Sequence, residues 1–129
     1  MVQTPSFFLV VGAFMGLVGV AAGAFGAHAI REKVPPERLG TFETAVRYWM
    51  YHALAMFVVA WLRAQPGGEL LELIAGWCFV AGSVVFSGSL VALTLTGEKR
   101  WGAVTPIGGV LLLVGWAALV WAAALAYSG

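Results

Sequence analysis

Residues Phe7–Ile30 read FFLVVGAFMGLVGVAAGAFGAHAI, a run of 24 residues without Asp, Glu, Lys or Arg. A helix rises about 1.5 Å per residue, so about 20 residues cross the apolar core of a bilayer. Three more uncharged runs follow, at 48–62, 73–97 and 101–129. The run at 48–62 is short, but Arg47 and Arg63 flank it and can extend their guanidinium groups to the membrane surface. The sequence therefore predicts four transmembrane helices, at about 6–30, 45–63, 70–95 and 105–127.

The composition supports one integral membrane domain spanning residues 1–129. Hydrophobic residues make up 61% of the chain and charged residues 10%, against about 25% charged in soluble domains. A net charge of +1 gives no indication of a nucleic-acid partner. Because the connections between the runs are short, the predicted fold is an all-α, up-down-up-down four-helix bundle.

Glycines mark the predicted packing faces. Five glycines of the first run are spaced by four, three, four and three residues, which places them along one side of a helix. Small residues in membrane helices let two backbones approach closely. The third and fourth runs carry glycines with the same predicted role. The helix-packing candidates are Gly12, Gly16, Gly19, Gly23, Gly26, Gly82, Gly108 and Gly115.

The connections carry helix start signals and most of the charge. Residues 36–47 carry apolar side chains along one side of a helix and charged side chains on the others. This pattern predicts a short amphipathic segment on the membrane surface between the first two spans, and Gly40 is a candidate for a bend in it. Thr105 and Pro106 form a start signal for the fourth helix. The first and third connections share one side and hold six basic residues, whereas the second holds only Arg63. This asymmetry predicts that both termini are extracytoplasmic.

Five local motifs occur in order along the chain: 23–28 GAFGAH, Tyr48 with 52–54 HAL, 86–90 FSGSL, 105–109 TPIGG and 115–116 GW. Together they resemble the small membrane protein family called domain of unknown function 423, which includes YgdD-like and transmembrane-protein-256-like proteins. The resemblance implies a four-helix, multi-pass protein of the plasma (inner) membrane. It implies no established activity.

The two histidines are the first candidates for a functional site, because an ionisable group within a span is often functional. His28 lies near the end of the first run, and His52 lies deeper in the second, four residues after Tyr48. With Ser87 and Ser89 of the third run, these residues are the candidate ligand-binding set. The alternative is structural: His52 bonds Tyr48 or a hydroxyl such as Ser87, and the serines pack between helices.

Metal and cofactor chemistry have little support in the sequence. His28 and His52 lie at unequal depths, about 4 Å and about 8 Å inside their flanking arginines, and two nitrogen ligands alone make a poor metal or haem site. No cofactor is therefore expected. No Asp or Glu is expected inside any of the four spans, and Glu43, at the start of the second, is the nearest acid. A proton-coupled exporter normally needs an embedded carboxylate, so that class is disfavoured.

These observations favour a non-enzymatic accessory, assembly or scaffold protein that binds membrane lipid or other membrane helices. Its partners would be lipid, further copies of the chain or another membrane protein. The alternative hypothesis is a carrier for a small apolar or weakly polar molecule, with a pocket lined by His28, Tyr48, His52, Ser87 and Ser89. An enzyme is the least favoured of the three hypotheses, because no nucleophile in the chain has a base in a suitable position.

Overall fold

A computed structural model describes residues 4–67 and 69–128. Span 1 consists of an α-helix Thr4–Ala21, a π-helical turn Ala22–Gly26 and a short α-helix Ala27–Ile30. Span 2 is the helix Pro36–Arg63, span 3 is Glu69–Thr96 and span 4 is Arg100–Tyr127. All four are long and apolar enough to cross a membrane. The described residues contain no β-strand, so the predicted all-α, four-helix class is confirmed.

Consecutive spans pack side by side and antiparallel. Span 2 contacts span 3 through Ser87 and Ala45 near one end and through Arg63 and Glu69 at the other. Residue numbers therefore rise on one helix as they fall on its neighbour. We call the end with the connections 31–35 and 97–99 the basic end, and the end with the connection 64–68 the turn end.

Span 1 packs on span 2 through part of its glycine seam. A methyl group at Gly12 would lie 2.9 Å from Met56 Cβ, and one at Gly26 would lie 2.9 Å from the Phe42 ring. Gly19 faces Met50 and Trp49 just as closely, and Gly23 lies at ordinary contact distance from Val46. Gly16 differs from the expectation, because nothing lies within 4 Å of a methyl group placed there. Gly16 is therefore not a close-packing position, although its neighbour Met15 is buried.

Spans 3 and 4 form the closest helix pair. Gly108 lies against the backbone of Phe86, Gly115 against the Phe79 ring, and Gly82 against Leu112. Each of these glycines is buried. A side chain at Gly108 would meet main-chain atoms, which cannot rotate away. These glycines therefore set how near the two helices come.

Three features of the helices differ from the sequence predictions. Span 2 is one continuous helix from Pro36, without a bend at Gly40 or a separate interfacial segment, because its first turns bury Phe42 and Ala45. Span 4 begins at Arg100, so Pro106 lies inside the helix. Thr105 is not an N-cap, since its hydroxyl donates to the Trp101 carbonyl 3.2 Å away.

Span 3 also differs, and the difference changes its chemistry. It begins at Glu69, four residues before the uncharged run. Glu72 therefore lies inside the helix, and its side chain is fully buried at 0% exposure. The expectation that the spans lack an acidic residue is wrong, because Glu72 lies within the predicted span 70–95 as well as within the observed helix.

Candidate functional site

His52 lies at the meeting point of spans 2, 3 and 4, with only 3% of its surface exposed. Its Nδ1 lies 2.6 Å from the Tyr48 carbonyl oxygen, one helical turn earlier. Its Nε2 lies 3.0 Å from Trp116 Nε1 on span 4. A carbonyl oxygen only accepts and an indole N–H only donates. The geometry therefore requires a neutral imidazole that carries its proton on Nδ1 and accepts at Nε2.

Aromatic rings surround this imidazole. The Phe79 ring centroid lies 5.3 Å from that of His52, and Trp116 lies 5.8 Å away. Tyr48 stacks on the other side at 6.5 Å and contacts Phe86 at 4.7 Å. We call Tyr48, His52, Phe79, Phe86 and Trp116 the His52 cluster. A cavity of about 290 Å³ lies beside it, lined in part by Tyr48, His52 and Trp116.

Of the two hydrogen-bond partners suggested for His52, the structure shows Tyr48 and not Ser87. Tyr48 contributes its carbonyl oxygen rather than its hydroxyl. The Ser87 hydroxyl instead donates to the Ala45 carbonyl at 2.7 Å, which joins spans 3 and 2. Trp116 was missed as a partner. An indole N–H inside an apolar helix needs an acceptor, so the presence of Trp116 in span 4 was the signal that could have found it.

The remaining candidates lie elsewhere. Ser89 lies 2.6 Å from the Thr105 hydroxyl, and this pair joins spans 3 and 4. His28 is exposed on the short helix Ala27–Ile30. Of the five predicted ligand-binding residues, Tyr48 and His52 line one cavity, Ser87 lines another, and His28 and Ser89 line neither. The structure does not bring all five into a single pocket.

A second concave surface opens sideways between spans 1 and 3, with span 2 as its floor. Near the turn end, span 1 contacts span 3 through Phe8, whose ring lies where a side chain at Gly76 would be. Further along, the two spans separate and leave a cavity of about 240 Å³. We call it the lateral groove. It is lined by Val18, Gly19, Ala22, Ala45, Val46, Trp49, Ser87, Gly88 and Val91.

The π-helical turn of span 1 lies beside this groove. Ala22 belongs to both. A π-helical turn takes one more residue than an α-turn and is often found at functional sites. Nothing in the sequence predicts this turn, since its small residues also fit an ordinary helix.

No metal-binding group lies within residues 4–67 and 69–128: no three His, Cys, Asp or Glu side chains come together there. The single cysteine, Cys78, is half-buried and unpaired. Within these ranges, the chemistry that the structure offers is hydrogen bonding, apolar packing and the buried carboxyl of Glu72.

Comparison with known sequences places this chain in a family. A family model described as "Protein of unknown function (DUF423)" matches residues 22–109. The chain belongs to this family. The match covers the π-helical turn, span 2 and the packed glycines of span 3, and it confirms the resemblance found in the motifs.

Bacterial DUF423 relatives match over most of their length. The "UPF0382 membrane protein YwdK" of Bacillus subtilis is 45% identical over 116 residues, which cover 90% of this chain and 94% of the relative. The "UPF0382 membrane protein SAB0533" of Staphylococcus aureus is 40% identical over 113 residues, covering 88% and 91%. No solved structure matches this chain. The protein is thus an integral membrane protein of a family without an assigned activity.

Proposed function

We propose that this DUF423 protein is a non-enzymatic accessory or scaffold protein of the plasma (inner) membrane that binds phospholipid in its lateral groove. The observation that carries the proposal is the groove itself, an apolar concavity open to the membrane between spans 1 and 3. Concave, mostly apolar surfaces are typical of binding sites.

The polar side chains of the groove are already bonded within the protein. Trp49 Nε1 donates to the Met15 carbonyl at 2.6 Å, and Ser87 Oγ donates to the Ala45 carbonyl. Neither side chain has a free donor hydrogen for a substrate. An occupant would therefore bind by close packing, which is the main source of association energy inside a bilayer. An acyl chain fits this requirement.

Charge at the basic end favours a lipid with an anionic headgroup. A neighbouring cavity of about 210 Å³ shares Val46 with the groove and is lined by Arg47 and Glu43. Arginine pairs well with phosphate, and basic residues near the membrane surface attract anionic lipids. Glu43 opposes this attraction, so its removal is part of the test.

The test measures which phospholipids stay with the protein after purification from native membranes in mild detergent, by native mass spectrometry. Gly88→Leu should reduce retained lipid, because Gly88 lines the groove and has open space around its Cβ position. Ala117→Leu on the exposed face of span 4 is the matched control. Arg47→Gln should reduce the anionic share, and Glu43→Gln should raise it.

Two results would contradict the proposal. One is lipid retention in Gly88→Leu equal to that of the Ala117→Leu control. The other is recovery of a protein subunit, or a second copy of this chain, crosslinked at the groove in place of lipid. The second result would favour a helix-binding scaffold.

A further inference from the structure

The buried acid at the turn end is a feature that the proposed function does not use. Glu72 lies in the first turn of span 3 and has no exposed surface. Both of its carboxyl oxygens lack a hydrogen-bond partner among the described residues. Buried polar groups are almost always paired, so an unpaired carboxyl here needs an explanation.

The residues of spans 2 and 4 at the level of Glu72 are small and apolar. Ser87 pairs with Ala45 and Arg63 with Glu69, so this antiparallel register puts Glu72 opposite Ala60 of span 2. On span 4, Gly115 lies against Phe79, and the same register puts Glu72 opposite Ala122. Both alanines are buried. Glu72 therefore lies at a level where its neighbours are small and apolar.

Charged groups lie near this acid without neutralising it. Arg63, at the end of span 2, and Glu69, on the same helix as Glu72, are the charges that act on it. The Arg63 guanidinium is directed to the Glu69 carbonyl, 2.8 Å away, and its Nε is buried without a partner. In the described part of the chain, the only ion pair within 4.0 Å joins Arg100 and Glu98. Glu72 is therefore not in a salt bridge.

Few other titratable groups face this position. The facing stretch of span 4, residues 119–127, holds only Tyr127, which is exposed and stacks on Trp61. The facing end of span 1, from Phe7 onward, holds none before His28. Among the described residues at this end of the bundle, Arg63 is the only basic side chain.

We propose that Glu72 is a proton-binding site at the turn end of the bundle. An unpaired carboxylate buried among apolar groups is costly, whereas the uncharged acid is far less so. The carboxylate takes one proton from water to form the acid and returns it to water at the exposed turn end, beside Ala64. Glu72 is three residues from exposed Glu69, about 4.5 Å along the helix axis, so the exchange path is short. This site is separate from the lateral groove.

The experiment uses dicyclohexylcarbodiimide on the full-length protein in membranes. This apolar reagent reacts with a protonated carboxyl: the acid proton moves to a carbodiimide nitrogen and the carboxyl oxygen bonds to the central carbon. Rearrangement gives a stable N-acylurea, which peptide mass spectrometry locates. We expect an adduct on Glu72 and none on exposed Glu43 or Glu69. The yield on Glu72 should fall as the pH is raised, whereas exposed glutamates are already ionised at neutral pH and should give no adduct.

The variants separate the alternatives. Glu72→Gln should lose the adduct, and Glu69→Gln should keep it. Absence of an adduct on Glu72 in the wild-type protein would overturn the proposal, and this measurement does not depend on whether any variant folds. An adduct that appears only in Arg63→Gln would also overturn it, because it would show that Glu72 is normally ion-paired. A yield that does not change with pH would refute proton exchange.

Discussion

At the scale of single residues, His52 shows how a polar side chain is accommodated inside an apolar bundle. Both ring nitrogens are bonded within the protein, one to a carbonyl of its own helix and one to an indole of another span. If Nε2 were protonated, its N–H would face the Trp116 indole N–H, and the hydrogen bond between the two side chains would be lost. His52 is therefore a structural hydrogen-bonding residue that links spans 2 and 4.

The link between His52 and Trp116 can be measured by a double-mutant cycle. His52→Leu leaves the indole N–H unpaired, and Trp116→Phe leaves Nε2 unpaired, so each single change should destabilise the bundle. The double variant should be less destabilised than the sum of the two. We expect a coupling free energy of about 0.6 kcal/mol, the average for hydrogen bonds between membrane helices. Unfolding in detergent at pH 7 measures it.

His52→Gln is the conservative control in this series, since it keeps a donor and an acceptor. It should be milder than His52→Leu. Strict additivity of the two single changes would show that the bond contributes nothing to stability.

At the scale of elements, the distance between two packed helices depends on which glycines contact the neighbouring helix and which face open space. Gly12 and Gly16 lie four residues apart on span 1 and look equivalent in the sequence. A methyl group at Gly12 would lie 3.1 Å from the Ala53 carbonyl oxygen and 2.9 Å from Met56 Cβ, while one at Gly16 meets nothing within 4 Å. The Cβ position of Gly12 therefore faces span 2 closely, whereas that of Gly16 faces open space.

The two glycines should respond to alanine with opposite signs. Gly12→Ala forces span 1 away from span 2, and overpacking of this kind costs about 1–3 kcal/mol. Gly16→Ala should be neutral or stabilising, because alanine favours the helix by about 0.5–1 kcal/mol over glycine. Thermal unfolding in the same detergent compares them. An equal loss of stability in both variants would contradict the difference in packing.

At the scale of the whole molecule, charge is distributed unevenly between the two ends. The connections at the basic end and their flanking turns hold Arg31, Lys33, Arg38, Arg47, Lys99 and Arg100, while the turn end holds only Arg63. Basic residues are enriched in cytoplasmic loops. The proposed orientation puts the basic end in the cytoplasm, with Glu72 near the opposite surface.

Cysteine labelling in intact cells checks this orientation. In a Cys78→Ser background, Ala64→Cys at the turn end should react with a membrane-impermeant maleimide, and Lys99→Cys at the basic end should not. Both positions are exposed, so a difference reports the side of the membrane. Both should react once the cells are opened. The reverse pattern in intact cells would invert the orientation and leave the bundle unchanged.

The number of spans, their approximate positions and several of the packing glycines could be predicted from the amino-acid sequence. These properties follow from hydropathy and small-residue spacing, which are local and can be read along one helix. It also identified His52 as a residue that needs hydrogen bonds. It placed the start of span 2 too late, because the charges near Pro36 conceal a face that is buried only against neighbouring helices.

Which side chains contact one another depends on how the helices pack, and the sequence did not predict it. His52 and Trp116 are 64 residues apart, and their bond depends on the register of spans 2 and 4, which no local pattern encodes. The burial of Glu72 depends on Ala60 and Ala122 facing it from two other helices. The lateral groove exists because spans 1 and 3 meet at Phe8 and then separate. Each of these features arises from the relative placement of helices, and so the candidate sites became visible only in the folded bundle.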